Sequence, residues 1–100
     1  MKVYEGGRGL DGAVVTVDGL PLDPRFDLRR FSRTGFEWTY VGDGPRQLAL
    51  ALLADHLGDG QAALRLCEPF MRDVVATFDN AWRLTGAEID AALAEIGGGL

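Results

Sequence analysis

Near the N-terminus, "MKVYEG" and "AVVTVDG" are β-branched runs separated by the turn-rich "GRGLDG". This pattern predicts two antiparallel strands, with Val15 and Val17 on one face. Gly19, Pro21 and Pro24 then punctuate "DGLPLDP" as a loop. "RFDLRRF" alternates weakly, with Phe26 and Leu28 on one side, and predicts a third strand. "FEWTYV" alternates most cleanly: Phe36, Trp38 and Tyr40 share one face, Glu37 and Thr39 the other. It predicts a strand whose aromatic face covers the helix that follows.

After "GDGP" the period changes. Pro45 suits the first helical position, and Gly44 or Asp43 can cap. From Arg46 to Leu57, five leucines and three alanines nearly encircle a helix, which places it at the centre of the core. Gly58 stops it and Asp59 caps the next. A second helix is predicted from about Gly60 to Asp79, its stripe formed by Leu64, Cys67, Met71, Val74, Val75 and Phe78. Pro69 interrupts it and either kinks or splits it. "AWRL" predicts a short strand with Trp82 and Leu84 inward. Thr85 and Glu88 form a capping box opening a last helix with Ile89, Ala92, Leu93 and Ile96. Strands first and helices after predict one α+β domain over residues 1–100, with about four antiparallel strands packed against about three helices.

Composition leaves that picture intact and narrows the chemistry. An apolar fraction of 47% and a charged fraction of 25% are ordinary for a globular domain. No run reaches the ~18 apolar residues of a membrane span, and "MKVYEGG" lacks a signal-peptide core. The single Cys67 forms no internal disulfide, so the expected location is the cytoplasm. "GGGL" is the one tail-like stretch. Residues 1–50 are balanced in charge, whereas residues 51–100 carry all of the net −5. An acidic half disfavours nucleic acid and membrane phosphates, and favours a basic protein partner or simple solubility.

The order of motifs resembles a known family. "TGFEW", Tyr40, Gly42, "GP", "QLALALLAD" and "LGD" are similar to a family of small uncharacterised proteins, a domain of unknown function. "VDG" with "PL", "VVA" at 74–76 and Trp82-x-Leu84 agree in order and spacing. The resemblance implies a setting in bacteria, archaea and their phages, often within mobile DNA, and no established activity. In this pattern glycines are common where the chain has Thr39 and Val41.

Candidate chemistries are thin. A strand, the turn Gly42-Asp43-Gly44-Pro45 and a helix resemble a phosphate cradle, with Arg46 beside it. The turn lacks the third glycine of a dinucleotide site and the Gly-Lys-Ser/Thr of a P-loop, and Asp43 repels anions. Cys67 and His56 form a dyad only if the helices bring them together, and Cys67 lies on an apolar stripe. Asp55, His56 and Asp59 make a poor zinc set with a single imidazole. No catalytic set, cofactor or metal is therefore expected.

Two binding surfaces remain. Residues 25–46 hold Arg25, Arg29, Arg30, Arg33 and Arg46 among aromatics, as a base-stacking surface requires, though Asp23, Asp27, Glu37 and Asp43 offset their charge. The last helix bears Glu88, Asp90 and Glu95. The expectation is a non-enzymatic protein-binding module, with a host or phage protein as partner and no membrane. In this reading the acidic face imitates nucleic acid and inhibits a host complex; the alternative is a nucleic-acid-binding accessory protein using the arginines of 25–46.

Overall fold

The computed structural model describes residues 2–97. Met1 and residues 98–100, most of the tail-like "GGGL", lie outside the described residues. In chain order the elements are β1 (Val3–Gly9), β2 (Gly12–Val17), β3 (Leu20–Pro21), α1 (Asp43–Leu57), α2 (Gly60–Asp73), a 3-10 turn (Val75–Thr77), β4 (Trp82–Thr85) and α3 (Gly86–Gly97). The strands form one antiparallel sheet in the order β3-β2-β1-β4. The architecture is the predicted α+β class, although the strands are not all where the pattern places them.

The first two connections are two-residue hairpins. Gly9 pairs with Gly12 around Leu10 and Asp11. Asp18 (φ 50°) and Gly19 (φ 85°) link β2 to β3, with Val17 opposite Leu20. Two left-handed residues in sequence match the right-handed twist of the strands they join. The Asp18 carboxylate also accepts from Val3 N at 2.8 Å, tying this turn back to β1.

One face of the sheet is packed. Tyr4, Val15, Trp82 and Leu84 point inward and are buried, as expected for Val15, Trp82 and Leu84, while Val14 on the opposite face is 56% exposed. Gly6 lies opposite Trp82 in the register. A Cβ at Gly6 would stand 2.3 Å from Trp82 Nε1, so only glycine lets the indole lie on this strand. Trp82 also stacks on Phe78 at 4.4 Å and meets Trp38 edge-on at 5.8 Å.

The two strands predicted between residues 25 and 41 do not form; residues 22–42 are one long irregular segment. Around Phe26 and Leu28 the backbone turns rather than extends. Arg25 has φ 59°, and Arg25 O accepts from both Leu28 N and Arg29 N. At "FEWTYV" the obstacle is Thr39, with φ 82°. Its N–H goes to Val75 O and its hydroxyl to Trp38 O, so no ladder can pass through it. The aromatic face is correspondingly incomplete: Trp38 is fully buried, Phe36 partly, and Tyr40 is 49% exposed.

α1 is the buried centre the leucine pattern predicts, with every residue from Gln47 to Ala54 inside the core. Its start is shifted. Gly42 is the N-cap, without a side-chain cap, and Pro45 is the third helical residue rather than the first. The position is tolerated because the first-turn N–H groups have no intrahelical partner. Gly58 closes α1 in a left-handed conformation, and the Asp59 side chain accepts from Gln61 N and Ala62 N to start α2. α2 runs unsplit through Pro69 but ends at Asp73, six residues before the predicted Asp79. Beyond it, Val75 and Phe78 serve the core from the 3-10 turn and the extended residue after it. The capping box at α3 forms as predicted: Thr85 N donates to Glu88 Oε1 at 2.9 Å, and Glu88 N donates to Thr85 Oγ1 at 3.2 Å.

Candidate functional site

The segment 22–42 has neither helix nor strand, yet it is fastened from below by one side chain. Gln47, fully buried in α1, makes four hydrogen bonds to its backbone. Its Oε1 accepts from Phe31 N at 2.8 Å and Ser32 N at 3.2 Å. Its Nε2 donates to Pro24 O at 2.7 Å and Arg29 O at 3.1 Å. An amide offers both donors and acceptors, so one side chain can replace the ladder this backbone lacks. A long ordered loop of this kind inside a small domain is usually functional.

The loop's other end is held by Arg8 from β1. Its guanidinium donates to Asn80 Oδ1 (2.6 Å), Glu37 Oε1 (2.7 Å) and Trp38 O (3.1 Å), and lies 4.4 Å from the Trp38 ring centre. Trp38 Nε1 donates to Asn80 O at 3.1 Å. Loop, β1 and the approach to β4 are thereby locked together.

The five arginines of the 25–46 region divide into two groups. Arg25 pairs through two nitrogens with Asp27 at 3.0 and 3.1 Å, and this hydrogen bonding holds the Asp27 carboxyl below the usual range. Arg46 grips Glu68 on α2 at 2.6 and 3.3 Å and Asp43 at 3.0 Å. Arg46, helped by Arg72, holds the Glu68 carboxyl low as well. These two are structural clamps. Arg29, Arg30 and Arg33 are exposed, and among the described residues none has a carboxylate within ion-pair distance. Arg29 sits over Phe31 at 5.5 Å and Arg30 over Phe26 at 4.1 Å. Arg30 also donates to Arg33 O at 3.2 Å.

The acidic residues of α3 are less free. Glu88 is engaged in the capping box, and Asp90 meets His56 Nε2 at 2.7 Å. Only Glu95 of the three has no partner among the described residues.

The remaining sequence candidates have separate positions. Gly44 lies against Glu37, where a Cβ would be 2.6 Å from Glu37 Cβ; close packing, not ligand approach, explains the glycine. Asp43 turns its carboxylate to Arg46 at the same helix start. Cys67 is buried, contacts Leu64 O at 3.4 Å, and burial pushes its thiol up, away from a reactive thiolate. Asp55 accepts from Tyr4 and Lys2, His56 meets Asp90 and Asp59 caps α2, so the three do not converge. Among the described residues no cluster of three or more His, Cys, Asp or Glu is placed to hold a metal ion. No helix among them is long and apolar enough to cross a membrane.

Sequence reasoning missed Gln47 and Arg8, and took Glu37 only as a charge offsetting the loop arginines rather than as the partner of Arg8. Gln47 alone left a signal, as the one polar side chain in an otherwise apolar "QLALALLA" run.

These features define a small α+β domain whose distinguishing surface is a fastened, arginine-bearing loop. The family model described as "Family of unknown function (DUF6166)" matches residues 4–95, and the chain belongs to that family. No curated protein and no solved structure matches the chain.

Proposed function

We propose that the chain is a non-enzymatic, cytoplasmic protein-binding module that meets its partner through the loop at 22–42. The observation that carries this reading is the trio Arg29, Arg30 and Arg33, exposed without carboxylates on a backbone held by Gln47. Preorganisation lowers the entropic cost of association, and arginine is enriched at interface hot spots. The bacterial, archaeal and phage setting implied by the sequence resemblance is part of the proposal, with a host or phage protein as the partner. An acidic face imitating nucleic acid has less support, because Glu88 and Asp90 are engaged within the fold.

The same three arginines support a second reading, a nucleic-acid-binding accessory protein. Phosphate contacts differ from protein contacts in their steep salt dependence. The test is affinity capture from a lysate of the source cells, with and without nuclease, using the wild type and an Arg29→Glu, Arg30→Glu, Arg33→Glu variant. A specific protein captured by the wild type in both samples and lost with the variant supports the proposal. Capture abolished by nuclease supports the second reading. A protein retained by the variant overturns the assignment to the loop.

A further inference from the structure

Beside the arginines lies a cleft of about 500 Å³ between the β1–β2 hairpin and the loop, which contributes both its start at Pro24 and Phe26 and its stretch 33–37. Its size falls within the ~300–1,000 Å³ of sites that take small ligands or a few side chains. Ala13, Phe26 and Phe36 give it an apolar lining, and Asp11, Arg33 and Glu37 its charges. Glu37 is neutralised by Arg8 at 2.7 Å. That leaves an unpaired guanidinium on one wall and an unpaired carboxylate, Asp11, on the other, among the described residues.

This charge pattern discriminates between occupants. A nucleic-acid strand would bring phosphates to Arg33 and also to Asp11, which repels them. Arg30 covers one face of Phe26, so that ring offers a stacked base only its other face. A peptide meets both walls: a carboxylate at Arg33, and a backbone N–H or basic side chain at Asp11. Arg30, 4.1 Å over the Phe26 ring, adds a second positive charge beside the cleft. On the hairpin rim next to Asp11, Leu10 is fully exposed and offers an apolar contact.

We propose that this cleft binds a linear acidic peptide segment of a partner protein. One large apolar side chain enters between Phe26 and Phe36, and a flanking carboxylate pairs with Arg33. The proposal rests on the binding-module reading and names the kind of partner segment that module recognises.

The test is selection of a phage-displayed library of random dodecapeptides on the full-length chain. Enriched peptides are then synthesised and measured by fluorescence polarisation. The expected peptides place Asp or Glu beside an aromatic or large aliphatic residue. Their affinity falls about tenfold or more in Arg33→Glu, the loss typical of a hot-spot charge, and is unchanged in Arg65→Glu, an exposed arginine on α2. Thr34→Trp, which fills the cleft from an exposed position, weakens them similarly. No enrichment, enriched peptides without acidic residues, or equal binding to Arg33→Glu overturns the cleft assignment while leaving the lysate capture result intact. A dodecathymidylate probe that binds in an Arg33-dependent manner where no peptide does also overturns it. Capture of a protein independent of the arginines overturns the assignment of the module's contact to the loop, and this proposal with it.

Discussion

Replacing Gln47 by leucine removes the fastening of the loop while keeping side-chain bulk. Four hydrogen bonds are lost at once, to Phe31 N, Ser32 N, Pro24 O and Arg29 O. At about 0.5–1.5 kcal/mol net for each, the cost lies between about 2 and 6 kcal/mol. The loop is at the surface and can lift to hydrate its freed groups, which places Gln47→Leu in the lower half of that range, near 3 kcal/mol. For a domain of this length that is a large share of the ~5–15 kcal/mol of total stability. Urea unfolding gives the energy, and amide hydrogen exchange locates it. The Phe31 and Ser32 amides should lose protection, while those of Leu50 to Ala54 in α1 keep theirs apart from the global loss. A variant within 1 kcal/mol of wild type, with Phe31 and Ser32 still protected, would refute the role assigned to Gln47.

Three further outcomes follow from other positions. Thr39 holds φ 82°, costly for a β-branched residue, so Thr39→Gly, which keeps the backbone bond to Val75 O, should stabilise by about 1 kcal/mol in urea; destabilisation would show that the lost hydroxyl bond to Trp38 O outweighs the strain. Gly6→Ala drives a methyl into the Trp82 indole and should cost about 1–3 kcal/mol, whereas Gly7→Ala, with open space at its Cβ, should be near neutral; equal effects would remove the packing explanation. Burial, with the hydrogen bond to Asp55, holds the Tyr4 hydroxyl well above the usual tyrosine range. The unfolded chain therefore ionises this group first, so its contribution is complete below about pH 10 and falls as pH rises beyond it. Melting at pH 8 and pH 11 should show a larger loss for wild type than for Tyr4→Phe, and identical losses would discount Tyr4.

The parts of the fold legible in the sequence are those governed by local rules. The leucines of α1, the Asp59 cap, the Gly58 stop and the Thr85–Glu88 box each follow from spacing or from one side chain reaching its own backbone. The errors cluster where tertiary contacts override local pattern. Alternation at Phe36, Trp38 and Tyr40 resembles a strand, but Trp38 answers to Asn80 and Arg8, and Thr39 to Val75, all distant in the chain. The same holds for "RFDLRRF", whose Arg29 O and Phe31 N are captured by Gln47, 18 and 16 residues on. The surface arginines were visible as a group; which of them are clamps and which are free depends on Glu68 and Asp27, and only folding reveals the first pairing.

A binding role for the arginine trio requires the loop to be a preformed surface and not a tether that orders on contact. Backbone ¹⁵N relaxation of the free protein addresses this directly, through the order parameters of the Arg29, Arg30 and Arg33 amides. Values near the ~0.85 of rigid backbone, matching those of α1, are the predicted result. Values below ~0.6 at these three positions would mean that Gln47 does not hold the loop, and would contradict the account.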